Sequence, residues 1–271
     1  MTESSNSFTI HSEMPNKTIS DVMFELGLFG DPREQKIDWN VFDLSDLGID
    51  FERVRETVYK TTVEVGLRGW RTRNAEVTDY TGFSVTRNPN YNGDSPTPWH
   101  QTLGDKRTKE TYSAKNGNFG SWRNSYYDTF AFNQVHPNFR WLTDKFNGAV
   151  LRSRCSYAWS KEMNFPYTGG WHVDEKPWFM IRFVVPITTG ENWRIEFEDG
   201  HHHLELGKAY IWDNSIPHRV APTEVGNDPR INLIIGFCPW FTFSNGVFTK
   251  NDVWGKDIQE IVNKKQFLKE R

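Results

Sequence analysis

The sequence is short of cysteine and has neither a long apolar run nor a basic leader. Its two cysteines, Cys155 and Cys238, are too few for a disulfide framework or a cysteine-rich zinc site, and we expect both to be small buried side chains. No apolar stretch approaches the roughly 20 residues that a membrane span needs. Residues 1–17 are polar and lack the basic and apolar regions of a signal peptide. These absences predict a soluble, cytoplasmic protein that does not enter a membrane.

Neither sign of charge dominates the chain, whose formal net charge is -3 at pH 7. A protein that binds nucleic acid as its main task usually carries a strongly basic face, so we expect no dedicated nucleic-acid binding. Aromatic residues are plentiful, with 12 Trp, 20 Phe and 9 Tyr. They indicate either a well-packed core or an aromatic-lined pocket, and composition does not choose between the two.

The first half of the chain is predicted to be a tail followed by helical and irregular structure. Residues 1–17 are predicted to be flexible, and residues 18–148 to mix helices with long loops. Apolar residues recur with helical spacing over 50–66, and a proline and a glycine bound a shorter predicted helix at 136–148. The stretch 67–135 is rich in Gly, Asn, Pro and aromatic residues, and its length predicts a lid over a substrate site.

From residue 149 the sequence changes to short β-type runs separated by turn residues. The six runs read AVLRSRCSYAW, FMIRFVVPITT, WRIEFED, HHLELG, AYIWDN and RINLIIGFCPWF. So many short strands at close spacing predict a mainly β core over 149–245, either a β-sandwich or a closed jelly roll. Residues 246–271 are predicted to form a C-terminal helix, which gives the core flanking helices at both ends.

A histidine and an aspartate stand two residues apart ahead of the second of these runs. His172 and Asp174 would point to the same face of an extended strand, where an imidazole and a carboxylate can share a divalent metal. His218, which follows Pro217 and opens another β-type stretch, can supply a third ligand. Two histidines and one carboxylate on one face of a metal are typical of non-haem Fe(II) oxygenases, whereas zinc is more often enclosed by four ligands. Taken alone, His172 is better explained as an ordinary hydrogen-bonded sheet histidine.

Two further polar features bear on function. Arg230 stands at the head of the last apolar run, and a permanent charge entering a buried strand is costly unless it meets an anion. A co-substrate carboxylate would fit, and so would an ion pair with Asp228 or Glu224. The three histidines 201–203 follow a turn, and we expect them in a surface loop rather than on a metal.

The blocks HVD, MIRFVVP, GKAYIWDNSIPHRV and DPRINLIIGF resemble the 2-oxoglutarate- and Fe(II)-dependent dioxygenases. Within them the chain is most similar to the aspartyl/asparaginyl β-hydroxylase-like family, over about residues 150–240. The resemblance implies a double-stranded β-helix, which is a jelly roll of the cupin-like kind. It also implies a single dioxygenase domain over 18–271.

Carried over by position, the resemblance implies that His172, Asp174 and His218 bind Fe(II). Arg230 would bind the distal carboxylate of 2-oxoglutarate, and O2 would be the second co-substrate. Some relatives lack the metal-binding carboxylate and halogenate their substrates. Because this chain keeps Asp174, the resemblance favours hydroxylation.

The resemblance assigns the remaining co-substrate contacts less sharply. Arg182 matches a family arginine that helps to hold a carboxylate of the co-substrate or substrate. Family members often carry a histidine two residues later, where this sequence has Val184. A polar residue upstream of the HxD motif often shares the distal carboxylate, and Ser156, Tyr157 and Ser160 are the candidates.

The implied activity is hydroxylation of an unactivated C–H bond, with release of succinate and CO2. The substrate class stays open among free amino acids, peptidyl residues and small metabolites. One alternative is a non-catalytic jelly-roll module that binds a ligand or another protein. A second is a cupin-like metal enzyme that does not use 2-oxoglutarate, which would leave Arg230 without a role.

Overall fold

The fold was analysed in a computed structural model of the chain. It describes residues 7–9, 37–69, 80–87, 99, 134–146, 149–159, 171–174, 180–188, 192–226, 228–238, 241–244 and 247–250.

The described residues form mostly short antiparallel strands. The strands are β1 (Ser7–Thr9), β2 (Asn40–Asp43), β3 (Arg68–Gly69), β4 (Tyr80–Ser84), β5 (Thr86–Arg87), β6 (Gln134–Val135), β7 (Ala149–Val150), β8 (Arg154–Ala158), β9 (Ile181–Pro186), β10 (Trp193–Phe197), β11 (Gly200–His202), β12 (Lys208–Ile211), β13 (His218–Pro222), β14 (Arg230–Cys238), β15 (Phe241–Ser244) and β16 (Val247–Lys250). The helices are α1 (Phe51–Val65) and α2 (Arg140–Thr143), with single 3-10 turns at Ser45–Leu47 and Pro137–Phe139. In the described part of the chain, no helix is long and apolar enough to cross a membrane.

Two antiparallel sheets form the core. The large sheet has the order β2-β12-β9-β14-β8-β4-β3, with β7 also paired to β14. The small sheet has the order β11-β10-β13, and an isolated bridge between His172 and His218 adds the segment around His172 to the free edge of β13.

The order of these strands along the chain defines the topology. From β8 onward, β8, β9, β12 and β14 lie in the large sheet, whereas the His172 segment, β10, β11 and β13 lie in the small one. Seven antiparallel strands and the bridged His172 segment, divided in this way between two sheets, form a jelly roll, or double-stranded β-helix. The mainly β, jelly-roll fold predicted from the sequence is therefore confirmed.

Both faces of the large sheet are buried, and alternation along its strands separates two apolar cores. On β9, Phe183 and Val185 belong to an outer core that also contains Val54 and Val58 of α1. Val184, between them, belongs to an inner core that lies between the two sheets. The inner core consists of Val184, Ile195, Leu204, Tyr210, Trp212 and Ile234, with Trp39, Phe197 and Val220 packed against it.

Helix α1 matches the helix predicted over 50–66. The side chain of Asp50 accepts a hydrogen bond from the backbone N–H of Arg53 at 3.2 Å, which caps the first turn. Gly66 ends the helix with a φ of 79°, a conformation that favours glycine. The second predicted helix, at 136–148, is shorter than expected: it consists of the turn Pro137–Phe139 followed by α2.

The structure differs from the sequence prediction at both ends of the chain. Within the tail predicted to be flexible, β1 pairs with β16. Strand β16 itself occupies Val247–Lys250, at the start of the stretch predicted as a helix. Residues 251–271, which carry the rest of that prediction, lie outside the described residues.

Two corrections concern segments that pair with the core. Strand β4 lies in the stretch 67–135 predicted as irregular, and it pairs with β8 over five residues. The histidines at 201–203 were predicted in a loop, but β11 includes His201 and His202 and pairs with β10. Most of 67–135 lies outside the described residues, so the predicted lid stays a prediction.

Candidate metal centre

The backbone sets His172 and His218 directly opposite each other. Each N–H donates to the other residue's carbonyl at 3.0 Å, and the two rings lie 4.5 Å apart between centroids. Strand β13 begins at His218 after a turn that Asp213 stabilises, because its carboxylate accepts from the N–H and hydroxyl of Ser215. The predicted convergence of two histidines therefore arises from one antiparallel bridge.

Asp174 completes a cluster with the two histidines. Its backbone N–H donates to the carbonyl of Asn214 at 2.7 Å, which fixes the segment against the turn before β13. Its Oδ2 lies 3.6 Å from Nε2 of His172 and 3.5 Å from Nε2 of His218. The three ligand atoms lie within 4.8 Å of one another. Metal bonds of about 2.1 Å place neighbouring ligands about 3 Å apart, so this donor set fits a single metal ion after small shifts.

The tautomer of His218 suits metal binding. Its Nδ1 lies 2.9 Å from the carbonyl oxygen of Ile216, and a carbonyl can only accept. Nδ1 therefore carries the proton, which leaves the lone pair of Nε2 pointing at the cluster.

The three side chains differ sharply in exposure. The side chain of His218 is 4% exposed and that of Asp174 13%, whereas that of His172 is 46% exposed. The cluster therefore opens on the His172 side.

Arg182, on the inner face of β9, contacts Asp174. Its Nη1 donates to Asp174 Oδ2 at 2.7 Å. Burial opposes the charge of Asp174, and the nearby guanidinium of Arg182 favours it. The pKa of Asp174 consequently lies well below its usual value, so the carboxylate is ionised and ready to bind a cation.

The predicted residue Arg230 lies at the start of β14, where it lines a small cleft between the two sheets. The cleft is lined from both sheets, by Thr188, Trp193, Arg194, Ile195, His202, Leu204, Arg230 and Asn232. With its carboxamide oriented so that its nitrogen donates to the Ile231 carbonyl, Asn232 accepts from Nη1 of Arg230 at 3.3 Å. The sequence prediction missed Asn232, although alternation along β14 puts it on the same face as Arg230.

Ser156 and Tyr157 lie on opposite faces of β8. Ser156 is buried and pairs with Asn232 across β8 and β14, on the same face as the cleft. The hydroxyl of Tyr157 instead lies 2.7 Å from that of Thr62 on α1, and its ring belongs to the outer core. Tyr157 was predicted as a co-substrate contact, and the structure corrects this because its side chain points away from the cleft. Ser160 lies outside the described residues.

The structure also shows what surrounds His202 and Val184. His202 stacks on Trp39 with ring centroids 4.0 Å apart, so one of the three histidines expected in a surface loop lines the cleft. Val184, where the family often has histidine, is 2% exposed within the inner core. The large sheet therefore presents an apolar side chain at that position.

The fold and the donor set together define a jelly roll with a 2-His-1-carboxylate cluster between its two sheets. No protein-family model and no curated protein matches the sequence. Among solved structures, the chain is similar to an oxidoreductase of the 2OG-Fe(II) oxygenase family from Burkholderia pseudomallei, at 10% identity over 74% of this chain and 84% of that one, with a TM-score of 0.39.

Two further solved structures are similar at the same distant level. A full-length Neurospora crassa protein in complex with alpha-KG is 16% identical over 71% of each chain, with a TM-score of 0.33. A Pseudomonas putida prolyl-4-hydroxylase is 14% identical over 79% of this chain and 98% of that one, with a TM-score of 0.34. The jelly roll is defined by the strand topology, and the candidate metal site by the geometry of the cluster.

Proposed function

We propose that this protein is an Fe(II)- and 2-oxoglutarate-dependent oxygenase that hydroxylates a C–H bond and releases succinate and CO2. The observation that carries the proposal is the cluster of His172, Asp174 and His218 on the jelly-roll scaffold. Two imidazoles and one carboxylate on one side of a metal leave the opposite positions open, as non-haem Fe(II) oxygenases require. We expect the substrate to be an amino acid, a peptidyl residue or a small metabolite.

The residues of the chain would divide the work as follows. His172, Asp174 and His218 would hold Fe(II), which when bound activates O2 for oxidation of the substrate. Arg230 would bind the distal carboxylate of 2-oxoglutarate, because a fixed guanidinium in a cleft between sheets matches a carboxylate in charge and shape. Ser156, which is buried on the same face, would share that carboxylate.

The test of the metal site uses matched histidine variants. Anaerobic Fe(II) and 2-oxoglutarate should give wild-type protein a weak visible charge-transfer band, and admission of O2 should release succinate. His172→Ala should abolish both signals. His201→Ala is the control, because His201 is exposed and lies outside the cluster, and it should keep both. A wild-type protein that gives neither signal, or a His172→Ala variant that keeps them, would contradict the proposal.

The test of the co-substrate site compares two arginines. Replacing one partner of a buried charge pair costs about 2–5 kcal/mol, and each 1.4 kcal/mol is tenfold in affinity. Arg230→Met should therefore raise the Kd for 2-oxoglutarate roughly 30-fold or more in metal-loaded protein. Arg55→Met on the exposed side of α1 should leave it unchanged. Binding of both Fe(II) and 2-oxoglutarate without any succinate would favour the non-catalytic alternative.

A further inference from the structure

Arg182 is a buried cation that pairs with one of the candidate metal ligands. The side chain of Arg182 is 8% exposed and that of Asp174 13%, and the two meet at 2.7 Å. A charge buried in an apolar strand is stable only when an opposite charge compensates it. In this fold Asp174 supplies that compensation, whereas the sequence resemblance placed Arg182 on a carboxylate of the co-substrate or substrate.

The contact joins a segment outside the named strands to the middle of the large sheet. Strand β9 lies between β12 and β14, and all six of its residues are buried. Asp174 stands outside the named strands, where its N–H bonds to Asn214. The guanidinium therefore adds a side-chain anchor to the backbone bond that holds Asp174.

The geometry of the contact selects one carboxylate oxygen. Oδ2 accepts from Arg182, and the same oxygen lies 3.6 and 3.5 Å from the Nε2 atoms of His172 and His218. A carboxylate oxygen has two lone pairs, so Oδ2 can accept from the guanidinium and still face the two imidazoles. Fixing that oxygen fixes the third corner of the donor set.

We propose that Arg182 is a positioning residue of the metal centre, which orients Asp174 for the metal and does not bind the co-substrate. The inference rests on the proposed function, because it takes the cluster to be a metal site. Partners of this kind typically change metal affinity 10–100-fold when they are replaced. We therefore expect a change in metal affinity of that size when Arg182 is replaced.

The first experiment measures Mn(II) binding to metal-free protein by calorimetry, without 2-oxoglutarate and without turnover. Arg182→Met should weaken Mn(II) binding about 10–100-fold. Arg182→Lys should weaken it less, because lysine keeps the charge but loses the planar fork. Arg55→Met, which removes a half-buried arginine on α1 that pairs with Glu52 away from the cluster, should bind Mn(II) like wild type. Equal Mn(II) affinity in wild type and Arg182→Met would overturn the inference.

A double-mutant cycle tests whether Arg182 acts through Asp174. Asp174→Asn alone should weaken Mn(II) binding, and adding Arg182→Met to it should cause no further loss. A further loss equal to that in the wild-type background would overturn the inference. The double variant carries neither buried charge, and circular dichroism checks its folding. Should Arg182→Met fail to fold, the Lys variant and the double variant still decide the question.

A final measurement separates this inference from the proposed function. In Mn(II)-saturated protein, Arg182→Met should bind 2-oxoglutarate within twofold of wild type, whereas Arg230→Met should not. A raised Kd for 2-oxoglutarate with unchanged Mn(II) affinity would return Arg182 to the co-substrate site and overturn the inference. Wild-type protein that binds neither Mn(II) nor 2-oxoglutarate would instead refute the proposed function.

Discussion

Replacing Gly236 with alanine should disturb the large sheet at the strand pair that carries Arg182. Gly236 lies on β14 opposite Arg182 of β9. A Cβ at this position would come within 2.5 Å of the carbonyl oxygen of Arg152 and 2.7 Å of Sδ of Met180. The methionine can move, but the carbonyl is backbone, and it is held close because the N–H of Leu151 donates to the Gly236 carbonyl at 2.6 Å.

The expected loss follows from that backbone contact. Overpacking a close-packed core typically costs about 1–3 kcal/mol, and a clash with immobile backbone belongs at the upper end. We therefore expect Gly236→Ala to lower the free energy of unfolding by about 2–3 kcal/mol, measured from urea denaturation. Because the strain falls on the strand pair that carries Arg182, Mn(II) binding should weaken as well.

Gly200→Ala is the matched control for this change. Gly200 lies on β11, and no atom lies within 4 Å of a Cβ built there. Its replacement should be neutral or stabilise by up to about 1 kcal/mol, because alanine restricts the unfolded chain. Surface substitutions change the free energy of unfolding by up to about 0.5 kcal/mol. If the free energy of unfolding of Gly236→Ala differs from that of wild type by no more than this, the close approach of Arg152 to β14 is refuted.

Two further substitutions test contacts away from the cluster. Burial opposes the charge of Glu196, but hydrogen bonds from Arg219 and Arg194 outweigh it and lower the pKa of Glu196. The stability contributed is complete above the usual glutamate pKa of about 4.3 and is lost as pH falls through the lower folded-state value. Glu196→Gln should thus lower the free energy of unfolding by about 1–2 kcal/mol at pH 7, and by progressively less below pH 4, as measured by urea denaturation. A difference that does not change with pH would argue against these ion pairs. Tyr157→Phe should lower the free energy of unfolding by about 0.5–1.5 kcal/mol, because the hydrogen bond to Thr62 is lost. Its Kd for 2-oxoglutarate, measured by calorimetry, should not change, and a raised Kd would restore Tyr157 to the co-substrate site.

The parts of the fold that the sequence predicted are those encoded locally. Helical spacing and Gly66 defined α1, and the spacing of His172 and Asp174 identified the cluster, because neighbours two apart on an extended chain share a face. Strand β4 was missed because its place in the sheet depends on pairing with β8, far along the chain. Short strands gain their stability from such partners, which local propensity does not encode.

The positions of helices and strands were easier to predict from the sequence than the sheet face on which a side chain lies or the residue that it contacts. Ser156 and Tyr157 are adjacent, so alternation allows only one of them to face the cleft, and the register of β8 against β14 decides which. The sequence carries no direct signal of that register. Similarly, the resemblance placed Arg182 on a carboxylate of the co-substrate or substrate, whereas the tertiary structure pairs it with Asp174.

The cluster also shows how an exposed donor set can be held rigidly. The side chain of His172 is 46% exposed, so burial cannot hold it. Its backbone is instead fixed by two reciprocal hydrogen bonds to His218, and His218 heads a strand paired with β10 over five residues. The adjoining Trp171 lies beneath the guanidinium of Arg219, which Glu196 anchors in turn. Functional groups need supports that lock their geometry, and here the edge of the small sheet provides them while leaving one side of the donor set open.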